Sequence, residues 1–344
     1  MTHTRLLLIV AALAAATLVG IAFLTPRIAA GGWLLAFSYV AAFPLGSLAL
    51  LLIHRLTGGR WGHALEPFLR PVALTTPLLL LLVIPVLGAS PILFPWAHGQ
   101  GDAITHSVRL IYLNIPAYVI RSLVALGALS VLAIILPGSG SASAPLIAGA
   151  GLVFYGIAIT FMGLDWILTP EAPFFSTSFG ASVAFTQLLS ALALVAVCAP
   201  REPDPPDLGA LMLVITLAIT YADFMAVLVM WYGDVPSRVF WFVERLREPW
   251  LALAVAAFIF ASLIPIIVLM FARMRANRSA LRLVGASSFV GLAVYQSWLL
   301  APAFGVAAAG IALLAALAMA AFIAAAVAGD WMQRLLNRAR IAHG

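Results

Sequence analysis

The sequence predicts an all-α membrane protein of about ten transmembrane helices, and three observations carry that expectation. Of its 344 residues 64% are hydrophobic and only 9% are charged. A soluble domain keeps roughly a quarter of its residues charged, and the mean hydropathy of +1.13 is far from such a composition. The apolar residues also fall into separate runs, each close to the roughly 20 residues that cross a bilayer as a helix.

The runs lie at Leu6–Leu24, Trp33–Ile53, Pro71–Phe94, Ile115–Ile135, Pro145–Leu168, Thr177–Cys198, Leu208–Trp231, Trp250–Phe271, Leu281–Pro302 and Gly305–Ala328. The first, behind Arg5, could pass for a signal peptide; with Met1 at the start it is read as a retained span. The third and fourth are separated by the longest loop, Pro95 to Asn114, and a proline-rich acidic hinge from Arg201 to Asp207 joins the sixth and seventh. Between Pro236 and Glu248, Val239, Phe240, Val243 and Leu246 recur at helical spacing among charged residues. That pattern predicts a short amphipathic helix on the membrane surface, with Trp231, Trp241 and Trp250 at the interface. It reads either as an interface anchor or as a docking face for an extramembrane subunit.

Every one of the 18 basic residues is arginine, and the net charge is +6. The arginines sit in short loops, which is a topology and lipid-headgroup signature rather than a nucleic-acid one. Arg121 apart, twelve fall on the side that holds both termini and five on the other, which predicts cytoplasmic termini. The single cysteine, Cys198, excludes an internal disulfide and a cysteine-ligated Fe–S cluster.

Three charges fall within spans: Arg121, Asp165 and Asp223. Asp165 closes a helix-length run and precedes Trp166 and Pro170, so it faces both hydrocarbon and the negative end of a helix dipole. At about 1.5 Å per residue, Arg121, Asp165 and Asp223 lie roughly 9, 5 and 12 Å in from the outer membrane surface. An unpaired ion at such depths is neutralised or expelled, so Arg121 is the natural partner of one or both carboxylates. The cluster reads as part of a proton path, as the lining of a quinol-like site, or as a clamp between helices. Other polar residues extend from it: Tyr155 and Thr160, Gln187 and Ser190, Thr216, Thr220 and Tyr221, and Tyr295 with Gln296. Such groups often bond within their own helix. None of the six histidines lies mid-span, which argues against a bis-histidine haem, and His98 and His106 read as loop residues.

An internal echo suggests duplication. Asp165-Trp-Ile-Leu-Thr-Pro170 ends the fifth span and Ser297-Trp-Leu-Leu-Ala-Pro302 ends the ninth, both running outward, as parallel four-helix repeats require.

The stretch Leu65-Glu-Pro-Phe-Leu-Arg-Pro-Val-Ala-Leu-Thr-Thr-Pro77, with Phe94-Pro-Trp96, resembles the ActF-like, NrfD-type membrane subunits of alternative complex III, a bacterial quinol:cytochrome c oxidoreductase. Tyr112-Leu-Asn-Ile-Pro116 followed by Arg121 is similar to that family's opening of the fourth span. Thr160-Phe-Met-Gly-Leu-Asp-Trp166 and Ser176-Thr-Ser-Phe-Gly180 are similar to its fifth-span signature. Trp231-Tyr-Gly-Asp-Val-Pro236 and Trp298 with Ala301-Pro-Ala-Phe304 continue the likeness, which covers roughly residues 40 to 305. Two departures stand out: Pro173 takes the family's histidine position, and Tyr295 stands where the ninth span tends to carry an acid.

The resemblance implies two four-helix bundles, helices 2–5 and 6–9, with peripheral helices 1 and 10. The corresponding boundaries are residues 1–30, 31–175, 176–303 and 304–344. It further implies a bacterial inner-membrane subunit without a cofactor of its own. Haem c, Fe–S centres and quinol are expected in partner subunits. Those partners are a larger NrfD-like subunit, an Fe–S subunit, multihaem and monohaem cytochromes c and a terminal oxidase, besides lipid. The chain is then expected to support proton translocation or scaffolding; a direct quinol-binding role, lined by Trp166, Phe174 and Phe175, and a purely structural role are the alternatives. Buried polar residues expected to serve it are Arg121, Asp165, Asp223, Tyr155, Thr160, Tyr221 and Gln296.

Overall fold

The computed structural model describes residues 2–98, 108, 111–136, 141–171, 176, 178–198, 205–233, 236–329 and 332. Every regular element among them is helical, and ten helices are long and apolar enough to cross a membrane. They are α1 (Thr2–Leu24), α2 (Pro26–Thr57), α3 (Arg60–Gly88), α4 (Ile115–Ile135), α5 (Ala144–Glu171), α6 (Phe179–Cys198) and α7 (Pro205–Gly233). A short surface helix, α8 (Pro236–Arg245), precedes α9 (Trp250–Met270), α10 (Arg278–Phe304) and α11 (Val306–Ala328).

Helix α2 lies at the centre. In its apolar middle 78% of the residues are buried, against 17% in α1 and α7. It packs on α3 and α5, and across the molecule on α6 and α10. Helix α6 mirrors it, touching α5 and α2 on one side and α7 and α10 on the other. The two cross where a glycine permits it: a β-carbon on Gly46 would run into the backbone carbonyl of Gln187. Close backbone approach through small residues is how helices associate without a hydrophobic driving force between them. Helix α11 covers α2, and α1 lies against α11.

The third span begins earlier than its hydropathy predicts and is broken. Arg60–Ala73 is a helix whose Leu65 and Leu69 are buried while Arg60 and His63 are exposed. A 3₁₀ turn at Thr76–Leu78 follows, and short helical pieces continue to Gly88. Pro71, Pro77 and Pro85 remove the amide donors that a continuous ladder needs. The hydroxyls of Thr75 and Thr76 take up the carbonyls of Val72 and Ala73, each at 2.6 Å.

Two spans contain a π-helical turn, Leu164–Leu168 in α5 and Ile259–Leu263 in α9. Each ends two residues before a proline, Pro170 and Pro265. A proline there cannot bond the carbonyl four residues back, and the helix widens instead. The neighbours accommodate the widening. Ser287 donates to the Phe260 carbonyl at 2.7 Å, and Gly291 lies so close to Ala261 that a side chain would not fit.

Candidate functional site

The π turn of α5 presents two consecutive side chains to α4. Asp165 receives Arg121 through two bonds, Nε to Oδ2 at 2.9 Å and Nη2 to Oδ1 at 3.0 Å. One residue on, the Trp166 indole N–H donates to Ser122 Oγ at 3.2 Å. Successive residues of one helix thus dock on successive residues of the other, and the paired positions lie 44 apart in sequence. The remaining arginine nitrogen, Nη1, donates to the Tyr112 carbonyl at 2.8 Å, and the guanidinium sits 3.8 Å above the Tyr112 ring. Burial, and next the Asp165 carboxylate, push the Tyr112 phenol above its ordinary value. Asn114 caps the start of α4 by accepting from the Ala117 amide at 2.9 Å, which fixes the turn carrying Tyr112.

Asp165 is 2% exposed, so its partnership with Arg121 is the expected answer to a carboxylate in hydrocarbon. The planar guanidinium meets the carboxylate as a fork, which a lysine could not do. Thr169 adds a bond to the Asp165 backbone carbonyl at 2.6 Å. Trp166 is 4% exposed, with its ring edge-on to Phe37 at 5.0 Å. It is packed between α2, α4 and α5. Phe174 and Phe175 lie outside the described residues.

Asp223 does not join this cluster. Its partner is Tyr295, whose hydroxyl donates to Oδ1 at 3.0 Å. The physical reason is helix placement: α4 packs on α3 and α5, whereas α7 packs on α6, α9 and α10. The Tyr295 phenol of α10 therefore reaches an acid on α7. Thr160 is also separate. Its hydroxyl bonds back to Gly156 at 2.8 Å, and its side chain packs on Gly180. Tyr221 is 66% exposed on the outer face of α7 and takes no part in a polar cluster. Tyr155 does find a partner across helices, donating to Gln187 Oε1 at 2.8 Å.

Gln296 and Tyr295 of α10 line a narrow crevice with Ser38 of α2 and Ser182, Thr186 and Gln187 of α6. Its volume is about 20 Å³. One water needs about 10–15 Å³, and a pocket for a drug-sized ligand has roughly 300 Å³ or more. The crevice thus has the size of a water rather than of a drug-sized ligand.

Two further charge clusters have no counterpart in the sequence reading. Arg245, 1% exposed, pairs with Glu171 at the end of α5 and donates to the Leu299 carbonyl of α10 at 2.8 Å. Its guanidinium lies 3.5 Å over the Trp241 ring. Trp241 and Arg245, four residues apart, face inward, while Phe240, Val243 and Leu246 of the apolar stripe are exposed on the outside of the protein. At the opposite end of the spans, Arg55 pairs with Glu66 through Nη2–Oε1 at 2.5 Å and Nη1–Oε2 at 3.1 Å. Its Nη1 also lies 3.0 Å from His54 Nδ1, and Arg70 reaches both Glu66 at 3.1 Å and the Leu136 carbonyl at 3.2 Å. The readable signal was the stretch Glu66-Pro-Phe-Leu-Arg70, an acid and a base one helical turn apart.

No protein-family model matches this chain, and no curated protein does. Among the described residues no three of His, Cys, Asp and Glu gather as metal ligands would. Chemically, the Arg121–Asp165 pair is a forked ion pair that holds α4 on α5. The Asp223–Tyr295 pair is a carboxylate with one phenol donor.

Proposed function

We propose that the chain is a cofactor-free integral membrane subunit of an alternative-complex-III-like quinol:cytochrome c oxidoreductase in a bacterial inner membrane. One observation carries this reading. Two stretches that resemble the same family, Tyr112 to Arg121 and Thr160 to Trp166, meet through the forked Arg121–Asp165 bonds and the Trp166–Ser122 bond beside them. Their likeness was drawn from separate parts of the sequence, and their side chains complete one another. In this role the pair is a structural clamp that keeps the first four-helix half rigid while partner subunits carry haem and Fe–S centres. Any proton handling falls to Asp223 and Tyr295, whose pairing leaves the carboxylate without a counter-charge among its hydrogen-bonded neighbours.

The test is purification of the chain from its native membranes in a mild detergent. Cytochromes c and an Fe–S subunit are expected to come with it, together with a second, larger multi-span subunit. Recovery as a lone homo-oligomer would overturn the assignment.

A further inference from the structure

We infer that the short connection between α9 and α10 binds the headgroup of an anionic phospholipid through Arg273, Arg278 and Arg282. The inference rests on charge and exposure at that connection and is independent of the complex proposed above. Residues 249–329 include no acid, and their four basic residues, Arg273, Arg275, Arg278 and Arg282, fall within ten positions. The span before them ends at Met270 and the span after them begins at Arg278, so the cluster lies where two helices leave the apolar layer.

Arg275 is committed to the protein itself. Its Nη1 donates to the carbonyls of Leu269 and Met270 at 2.6 and 3.1 Å, and its stem lies against Gly209 of α7. Arg273, Arg278 and Arg282 are exposed. Among the described residues no carboxylate forms an ion pair with Arg273 or Arg282. Arg278 and Arg282 stand one helical turn apart on α10, a spacing at which like charges repel. Arg278 also occupies the first turn of that helix, where the dipole favours an acid. Asn277 caps the turn by accepting from the Ser279 and Ala280 amides at 2.9 and 3.2 Å. A bound anion therefore answers to side-chain charge here rather than to bare helix amides.

The apolar surface beside the charge marks the anion as a lipid. Met270, Phe271 and Leu283, which flank the cluster in sequence, are 66%, 62% and 63% exposed. A soluble phosphate would meet the guanidinium groups and leave those side chains unused. A phospholipid brings both parts, a phosphate for the guanidinium forks and acyl chains for the apolar surface. A zwitterionic lipid carries the same phosphate together with an ammonium, which the arginines repel. Each arginine near an anionic lipid surface strengthens binding about fivefold.

Native mass spectrometry of the full chain, with whatever subunits accompany it, tests the site with phosphatidylglycerol and phosphatidylcholine of identical acyl chains. Phosphatidylglycerol is expected to bind more tightly. Arg273→Gln combined with Arg282→Gln is expected to lower its affinity roughly twenty-five-fold and to leave that of phosphatidylcholine nearly unchanged. Arg27→Gln, at an exposed arginine near the start of α2, is expected to have no such effect. Equal binding of the two lipids by the parent overturns the site, as does a phosphatidylglycerol affinity that the double variant leaves unchanged. Displacement of the lipid by glycerol phosphate at equal concentration would reveal a soluble-anion site and also overturns it. If the double variant does not fold, a phosphatidylglycerol with a photoreactive acyl chain decides on the parent protein. Label within residues 270–283 supports the site, and label confined to other segments overturns it.

Discussion

Arg121 commits each of its three nitrogens: Nε and Nη2 to Asp165 and Nη1 to the Tyr112 carbonyl. Arg121→Ala leaves a carboxylate buried and unpaired, and removal of one partner of such a pair costs about 3 kcal/mol. Unfolding of the purified protein in detergent should show that loss. Arg121→Met combined with Asp165→Leu should recover most of it, because two apolar side chains carry no desolvation penalty. Losses that simply add would mean that the two residues act separately. Arg121→Lys should fall between parent and Ala, since an ammonium keeps the charge and loses the fork. At Asp223 the contrast is chemical. Tyr295→Phe removes the hydroxyl that donates to its carboxylate, and the loss should exceed that of Tyr221→Phe, whose side chain is exposed.

The element with the most to test is α8. Its exposed apolar residues suit a membrane surface, but what holds it is charge: Arg245 to Glu171 and to the Leu299 carbonyl. Glu171→Gln should therefore loosen the segment between α8 and α9 while the spans stay folded. Local loosening by only about 1.4 kcal/mol multiplies the open population roughly tenfold. Tryptic cleavage after the exposed Arg247 should rise by about that factor. An unchanged rate would show that Trp241 and its packing hold the helix alone. The π turns belong to the same scale. In α5 the widening before Pro170 sends Asp165 and Trp166 to adjacent residues of α4. Pro170→Ala, by restoring the amide, should narrow the turn and weaken both bonds together.

At the scale of the whole molecule, α2 and α6 cross at the centre, and Gly46 is where their backbones touch. Gly46→Val puts a branched side chain against the Gln187 carbonyl. It should prevent α2 from packing on α6 while each helix still inserts, so that membrane-integrated chain accumulates but is digested rapidly after detergent extraction. A fully protected Gly46→Val protein would disprove that contact. The same crossing places the polar crevice between α2 and α5 on one side and α6 and α10 on the other.

How much of this was legible depends on what a hydrophobic sequence encodes. Length and hydropathy placed ten spans, because a bilayer core leaves few other ways to satisfy the backbone. The need for compensated charge also followed, and with it Arg121 as the partner of Asp165, Asp223 or both, since an ion in hydrocarbon must find a counter-ion; the structure pairs it with Asp165. Rotation and neighbourhood did not. A helix that is apolar all round has no polar face to reveal which side turns inward. The sequence therefore could not say that Tyr221 faces out, that Asp223 meets Tyr295 rather than Arg121, or that Arg245 turns in under Trp241. Proline positions marked where helices would break or widen, but the partners that repair them lie on other helices. Composition and spacing determined the spans and the need for compensated charge; only packing decided which residues compensate each other, because that choice depends on which apolar surfaces fit together.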